Sequence, residues 1–327
     1  MHAVCHSPYA LGMAAECVLG VDGGGTGTTA VLVALDRTEL ARGKAGPSNY
    51  VVAGAPAAAA AVVEAIVQAL RAAPAPVRIR TAAFCLAGIA GPADAELLRA
   101  ALRAVSPPFP EWAAVVERAR LTHDALAALT GGCGQPVGVV VVAGTGSIAY
   151  GRAADGREQR AGGWGWLAGD EGSAFDLGRR ALQAAARAVD GRGPATALTE
   201  LLLAEMGCGR MEELVRRFVP GPELRSLVAA LAPLVFRAAA GGDAVAQDLL
   251  SSAARELALA AATVLRGLGL ERIVTPVVMH GGLFQHHPPL REEFAAALAR
   301  WAPMARPVLP QRDAAYGAAL LALEPTW

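Results

Sequence analysis

A chain of 327 residues is long enough for about two domains with real cores. A hydrophobic content of 54%, much of it alanine, against 18% charged residues excludes a disordered chain. Lysine plus arginine and aspartate plus glutamate both number 29; that balance argues against a nucleic-acid protein, which would carry a basic stripe, and fits a small-molecule enzyme.

Residues 1–17 contain no basic region and no long apolar segment, so they do not read as a secretory signal. Residues 1–16 are expected to be a disordered leader, with Met13 an alternative start. The longest purely apolar runs, such as 137–143, are too short to cross a bilayer, and no membrane partner is expected. The cysteines Cys5, Cys17, Cys85, Cys133 and Cys208 are odd in number and form no C-x-x-C pair. They read as reduced thiols of a cytoplasmic protein, without a zinc site.

The first ordered stretch runs from Val18 to Asp36. An apolar, β-branched run enters, a turn of Gly23, Gly24, Gly25, Thr26, Gly27 and Thr28 follows, and a second β-branched run leaves. The spacing predicts a hairpin. Gly25-Thr26-Gly27-Thr28-Thr29-Ala30 fits the letters of a dinucleotide fingerprint, but that motif needs a helix directly after the turn. A P-loop is excluded because no Gly-Lys-Ser/Thr closes the turn. What remains is a loop whose backbone amides and threonine hydroxyls can ring a phosphate, with Asp22 at its mouth able to hold magnesium through water. The plainer reading is a tight turn whose glycines only supply positive φ, with Asp22 a turn residue.

A turn-rich loop around Asn49 comes next. A helix is predicted over 57–70 with Pro56 at its first position, then a strand over 79–86, a helix over 94–104, and a proline cluster at Pro107, Pro108 and Pro110. Thr122-His123-Asp124 is a strand end meeting a helix over 125–130. Residues 131–136 are the expected domain boundary. The opening pattern then returns: strand 137–143, a turn of Gly144, Thr145, Gly146 and Ser147, and a second strand from Ile148. Residues 162–174 hold five glycines, two tryptophans and two acids, the composition of a shaped loop. Helical patterns follow, including 173–189 and 244–268. A strand over 273–279, the turn Gly281-Gly282, a helix over 290–300, a strand over 307–309 and a helix over 313–323 complete the chain. His286-His287 reads as a solvated loop.

The ordered set 22–29, 122–124, 144–147, 162–174 and 280–284 resembles the N-acetylglucosamine kinase and glucosamine kinase-like group, with its BadF/BadG-type ATPase domain, of the sugar-kinase, actin and heat-shock-chaperone superfamily. The resemblance covers nearly all of the chain from Val18 onward. It implies an α/β fold of two ribonuclease-H-like, actin-like ATPase domains with a cleft between them: one over 17–132 plus the closing helix 313–325, the other over 133–312. It implies ATP and Mg2+ as cofactors. Gly23 to Thr28 would hold the phosphates from one side, Gly144, Thr145, Gly146 and Ser147 from the other, and Gly281 and Gly282 would admit adenine and ribose. Their alternative is a strand-to-helix turn.

For an amino-sugar substrate, Asp124 resembles the catalytic base. A sugar hydroxyl must give up its proton to a carboxylate as it attacks phosphorus. The competing role for Asp124 is an N-cap of the helix behind it, and His123 reads as a packed or solvated side chain. Asn49, Thr145 and Asp170 match sugar-contacting positions; Gly163, Trp164 and Ala174 match the receptor of the N-acetyl group. Asp170 and Glu171 could instead cap helix 173–189. The group's eukaryotic members carry an aromatic residue where this chain has Val51, so plain glucosamine stays open as a substrate.

The expected activity is phosphorylation of the 6-hydroxyl of N-acetylglucosamine or glucosamine. Two alternatives stay open: an activator ATPase of a dehydratase or reductase, which needs bridging cysteines for an iron–sulfur cluster, and a non-catalytic amino-sugar sensor. Assembly stays open as well, a homodimer included.

Overall fold

The computed structural model describes residues 14–106, 108–221 and 223–324. It separates into two compact units, one reaching Val137 and resuming at Pro310, the other comprising Gly138–Leu309. These divisions lie a few residues from the expected 132/133 and 312/313. Residues 1–13 of the expected leader, with Cys5 and Met13, lie outside the described residues, as does Pro107. Ala15 and Glu16 already belong to a strand, where Ala15 N donates to Pro76 O at 2.9 Å.

The first unit runs β1 (Ala15–Gly23), β2 (Thr28–Ala34), β3 (Glu39–Ala45), α1 (Tyr50–Ala53), α2 (Ala55–Ala72), β4 (Val77–Leu86), α3 (Pro92–Ala104), α4 (Trp112–Arg118), β5 (Arg120–Thr122) and α5 (Asp124–Cys133). The second runs β6 (Gly138–Ala143), β7 (Ser147–Arg152), β8 (Glu158–Gly162), α6 (Ala174–Val189), α7 (Leu198–Glu205), α8 (Met211–Val215), α9 (Leu224–Ala229), α10 (Ala232–Ala240), α11 (Ala244–Leu268), β9 (Thr275–His280), α12 (Gly282–His286), α13 (Pro288–Trp301) and β10 (Ala305–Val308). The chain then returns to the first unit as α14 (Ala314–Leu323).

The sheets are ordered β3-β2-β1-β4-β5 and β10-β9-β6-β7-β8. Counted from the first strand of each unit, both read 3-2-1-4-5. In both, the first three strands form an antiparallel meander and the last two run parallel to the first. The repeat read from two glycine turns is therefore a repeat of whole topology, the mixed α/β architecture that the resemblance implies.

In β1 the side chains alternate between the faces of the sheet. Leu19 and Val21 enter a core with Ala58, Val62 and Ile66 of α2. Gly20 faces the other way, and a Cβ there would lie 2.2 Å from Ala319 N, so α14 rests directly on the strand. By length and composition α2 is apolar enough to span a membrane, yet it packs one face, through Ala58, Ala59, Val62, Ala65, Ile66 and Ala69, into this core.

The expected boundary loop at 131–133 is helical instead. α5 continues to Cys133 and ends on Gly134 in the left-handed region. Cβ atoms on Gly131 and Gly317 would lie 2.2 Å from Asp313 O and 2.0 Å from Ala127 O. Gly131, which read as part of a chain break, and Gly317 form the contact where α5 and α14 approach without side chains between them.

Candidate active site

In the first unit, Asp22, Cys85 and Thr122 stand in register across β1, β4 and β5. Asp124 follows two residues past the end of β5. Both carboxylates thus lie at the carboxyl ends of parallel strands, where α/β sheets collect their ligands. The turn between β1 and β2 is closed by Gly24 N donating to Gly27 O at 2.9 Å. Gly24 O in turn accepts from Ser48 N (3.1 Å) and Asn49 N (3.2 Å), which ties the candidate phosphate turn to the candidate sugar asparagine.

The glycines of this turn do not owe their identity to backbone conformation: none of Gly23, Gly24, Gly25 and Gly27 has positive φ. Gly23 is needed for packing, since a Cβ would strike Ser48 Oγ at 2.0 Å. A Cβ at Gly25 would meet nothing within 4 Å, and one at Gly24 only Gly27 O at 3.9 Å. Glycine in a strand or turn that does not require it costs entropy, about 0.5–1 kcal/mol. A bare backbone open to an incoming ligand accounts for that cost. Thr26 is exposed, whereas Thr28 is buried with its hydroxyl against Gly46 O (2.7 Å) and Ser48 Oγ (2.8 Å). Thr28 therefore serves the hairpin's own framework.

The structure gives the cap of α5 to His123, whose Nδ1 accepts from Leu126 N at 3.3 Å. Asp124 is the first helical residue and is spared that duty. Burial raises its carboxyl above the ordinary carboxylate range, partly offset by His123 and the amide of Ala125. Asp22 is pushed up to about 8, first by burial and then by the charges of Asp124 and Asp313. Both keep an edge open to solvent. Asp313 caps α14 by accepting from Tyr316 N (2.9 Å) and pairs with Arg42 of β3. Its nearness to Asp22 has no signal in the sequence beyond a helix start.

No group of three or more histidine, cysteine, aspartate or glutamate side chains converges on a metal position among the described residues. A magnesium ion held mainly by water and nucleotide phosphate needs only one or two carboxylates, and Asp22 fits that mode. Asn49 caps α1 through Oδ1, which accepts from Val51 N at 3.1 Å. Its amide NH2 is left to donate. Gly88 (φ +100°) lies against it: a Cβ there would be 3.2 Å from Asn49 Oδ1 and 2.9 Å from Val51 Cγ2. Val51 is exposed.

In the second unit, the turn between β6 and β7 is closed like the first, Gly144 N donating to Gly146 O at 2.9 Å. Gly144 has open space around it. Four bonds tie this turn to the 170–175 segment. Ala174 N donates to Gly144 O (2.9 Å) and Phe175 N to Thr145 O (3.2 Å). Ser147 N donates to Asp170 Oδ1 (3.1 Å) and Ser147 Oγ to Glu171 O (2.8 Å). The candidate phosphate turn and the candidate sugar loop are thus one body.

Neither Asp170 nor Glu171 caps α6; Ser173 does, accepting from Asp176 N. Asp170 is 3% exposed with φ of 63°. Arg225 of α9, which carries no motif, donates to its Oδ2 at 2.8 Å. Trp164 is exposed, with the Arg160 guanidinium 4.6 Å over its ring, and Gly163 (φ +71°) leaves no room for a side chain against Ile148. Gly281 (φ +100°) is demanded by the fold itself, since a Cβ would lie 2.4 Å from Ala143 O. Gly282 meets nothing closer than 3.9 Å. Of the pair, only Gly282 has a backbone left open for a ligand.

Two matching sheets, each with a glycine turn after its first strand, define the class of two-unit α/β ATPases. Residues 19–322 match the model of the BadF/BadG/BcrA/BcrD ATPase family, and the chain belongs to that family. It is 30% identical over 307 residues to an N-acetylmuramic acid/N-acetylglucosamine kinase of Clostridium acetobutylicum, covering 93% of this chain and 97% of that one. It is 32% identical to an N-acetyl-D-glucosamine kinase of Dictyostelium discoideum, covering 95% and 99%. A crystal structure of a Chromobacterium violaceum protein described as a candidate N-acetylglucosamine kinase superposes with a TM-score of 0.74 at 32% identity, covering 95% of this chain and 99% of that one.

Proposed function

We propose that this protein is an ATP-dependent phosphotransferase acting on the 6-hydroxyl of N-acetylglucosamine or glucosamine. One pairing within the first unit carries the reading. A hairpin turn keeps glycines that its fold does not need, beside a carboxylate, Asp124, relieved of capping by His123. The named activities of relatives matching nearly the whole chain support the choice of sugar.

In this reading Asp124 accepts the proton of the sugar hydroxyl as its oxygen bonds to the γ-phosphorus; the bond from that phosphorus to the bridging oxygen breaks and ADP leaves. The backbone amide of Gly25, in open space at the tip of the first turn, donates to a phosphate oxygen. The Asn49 amide donates to a sugar hydroxyl. Magnesium, when bound with the nucleotide near Asp22, neutralises phosphate charge. The cysteines Cys17, Cys85, Cys133 and Cys208 are all free, in keeping with a reducing compartment such as the cytoplasm.

The test is ADP release and product NMR with N-acetylglucosamine, glucosamine, N-acetylmuramic acid and glucose as acceptors. A 6-phosphate of at least one of the first two is expected. ATP turnover indifferent to every amino sugar would sink the proposal.

A variant separates a ligand turn from a plain hairpin. Gly25→Ala has free space for its methyl group. Its melting temperature should hold or rise, because the unfolded chain loses freedom worth about 0.4–1 kcal/mol. Its KM for ATP should rise about tenfold, the weight of one weakened phosphate contact of roughly 1.4 kcal/mol. An unchanged KM would return the turn to a structural role.

A further inference from the structure

The second unit's candidate phosphate turn and sugar loop are joined by backbone bonds, and among the described residues one side-chain cation, Arg225, fastens them. Arg225 Nη2 donates to Asp170 Oδ2 at 2.8 Å, while Asp170 Oδ1 accepts from Ser147 N at 3.1 Å. The same guanidinium lies against the turn: a Cβ on Gly146 would be 2.3 Å from Arg225 Nη2 and 2.7 Å from Asp170 Oδ1. Arg225 keeps 35% of its side chain exposed, against 4% for Asp170. Its Nε is buried without a hydrogen-bond partner among the described residues.

Two costs are concentrated at Asp170. Its φ of 63° is a conformation that residues other than glycine seldom adopt. Its carboxylate is buried, which is costly unless the charge is paired. Arg225 answers the second cost from a fixed place. Its helix α9 lies on α6 with no side chain between, because a Cβ on Gly178 would be 1.9 Å from Val228 O. Val228 and Ala229 then pack with Phe175, the residue whose amide bonds to Thr145 O.

The structure assigns Arg225 as a positioning residue that sets both ligand surfaces of the second unit at once: Asp170 for the sugar hydroxyls and, through the Ser147 amide, the 144–147 turn for nucleotide phosphate. This rests on the kinase reading above. Because one carboxylate bridges the two surfaces, loss of the arginine disturbs both, and a misplacement of about 1 Å can cost on the order of a hundredfold.

The experiment measures binding of AMP-PNP and of N-acetylglucosamine by calorimetry for wild type, Arg225→Ala, Arg225→Lys, Asp170→Asn and the double variant Arg225→Ala/Asp170→Asn. Melting temperatures are recorded alongside. Arg225→Ala should weaken both ligands tenfold or more, on the order expected for lost positioning. Arg225→Lys should recover part of each loss, and Arg225→Ala should add nothing once Asp170 is asparagine. Losses confined to one ligand, or additive in the double variant, overturn the assignment. Wild type that binds AMP-PNP but no amino sugar defeats the kinase reading instead. Arg225 is then judged on nucleotide affinity alone, where an unchanged Arg225→Ala overturns it.

Discussion

Asp124→Asn should lower kcat by about 10²–10⁴-fold, the contribution of a positioned base, with KM for ATP and sugar and the melting temperature close to wild type. The structure makes this a clean substitution. His123, not Asp124, accepts the Leu126 amide at the start of α5, so the helix keeps its cap when the charge is removed. The fold does not need the negative charge either, for burial already disfavours it and it burdens Asp22. A helix-capping aspartate would behave differently: asparagine caps about as well as aspartate, so the variant would keep both its stability and its turnover. The pH profile supplies a second check. Because burial raises the Asp124 carboxyl, the acid limb of kcat/KM should lie above the ordinary carboxylate range, and Asp124→Asn should lose that limb. Near-normal turnover in this variant would remove Asp124 from the chemistry.

The features legible in the sequence are those written in consecutive residues. Both glycine turns follow a β-branched run and precede a second strand, so the two hairpins and the repeat followed from local pattern. β3 did not: Glu39–Ala45 places Arg42, Gly43 and Lys44 in a row, because only one side of an edge strand meets the core and Gly43 lies against the α2 backbone. Gly131 and Gly132 read as a linker because a glycine pair marks a break locally. Here the reason for Gly131 is α14, far along the chain. Arg225 and Asp313 stayed invisible for the same reason. One sits alone on a helix of six residues and the other looks only like a cap. Their partners, Asp170 and Arg42, lie 55 and 271 residues away. Sequence spacing singled out candidate segments; the contacts that hold them, such as Arg225 to Asp170, are set by tertiary structure.

Asp22→Asn should stabilise the nucleotide-free protein at alkaline pH while reducing its activity. In the folded chain the Asp22 carboxyl is pushed up to about 8, against an ordinary 3.8, so the native state holds a proton that the unfolded state releases. The contribution to stability is complete below the unfolded value and is lost as pH rises through the folded one. Each pH unit in that window is worth about 1.4 kcal/mol at most, and the open edge of the side chain reduces the sum to on the order of a few kcal/mol. Asparagine cannot ionise and carries no such slope. Melting curves of both proteins should therefore converge near pH 4, and the gap should widen as pH rises to about 8 and stay constant beyond it, with Asp22→Asn the higher. MgADP should raise the wild-type melting temperature more at pH 8.5 than at pH 6 and narrow the gap, because a cation beside the carboxylate favours its charged form. Parallel melting curves would mean that Asp22 is ionised throughout, and the strain attributed to three neighbouring acids would be absent. Under the proposed function, the destabilised carboxylate is the expected cost of a site that receives positive charge with its nucleotide.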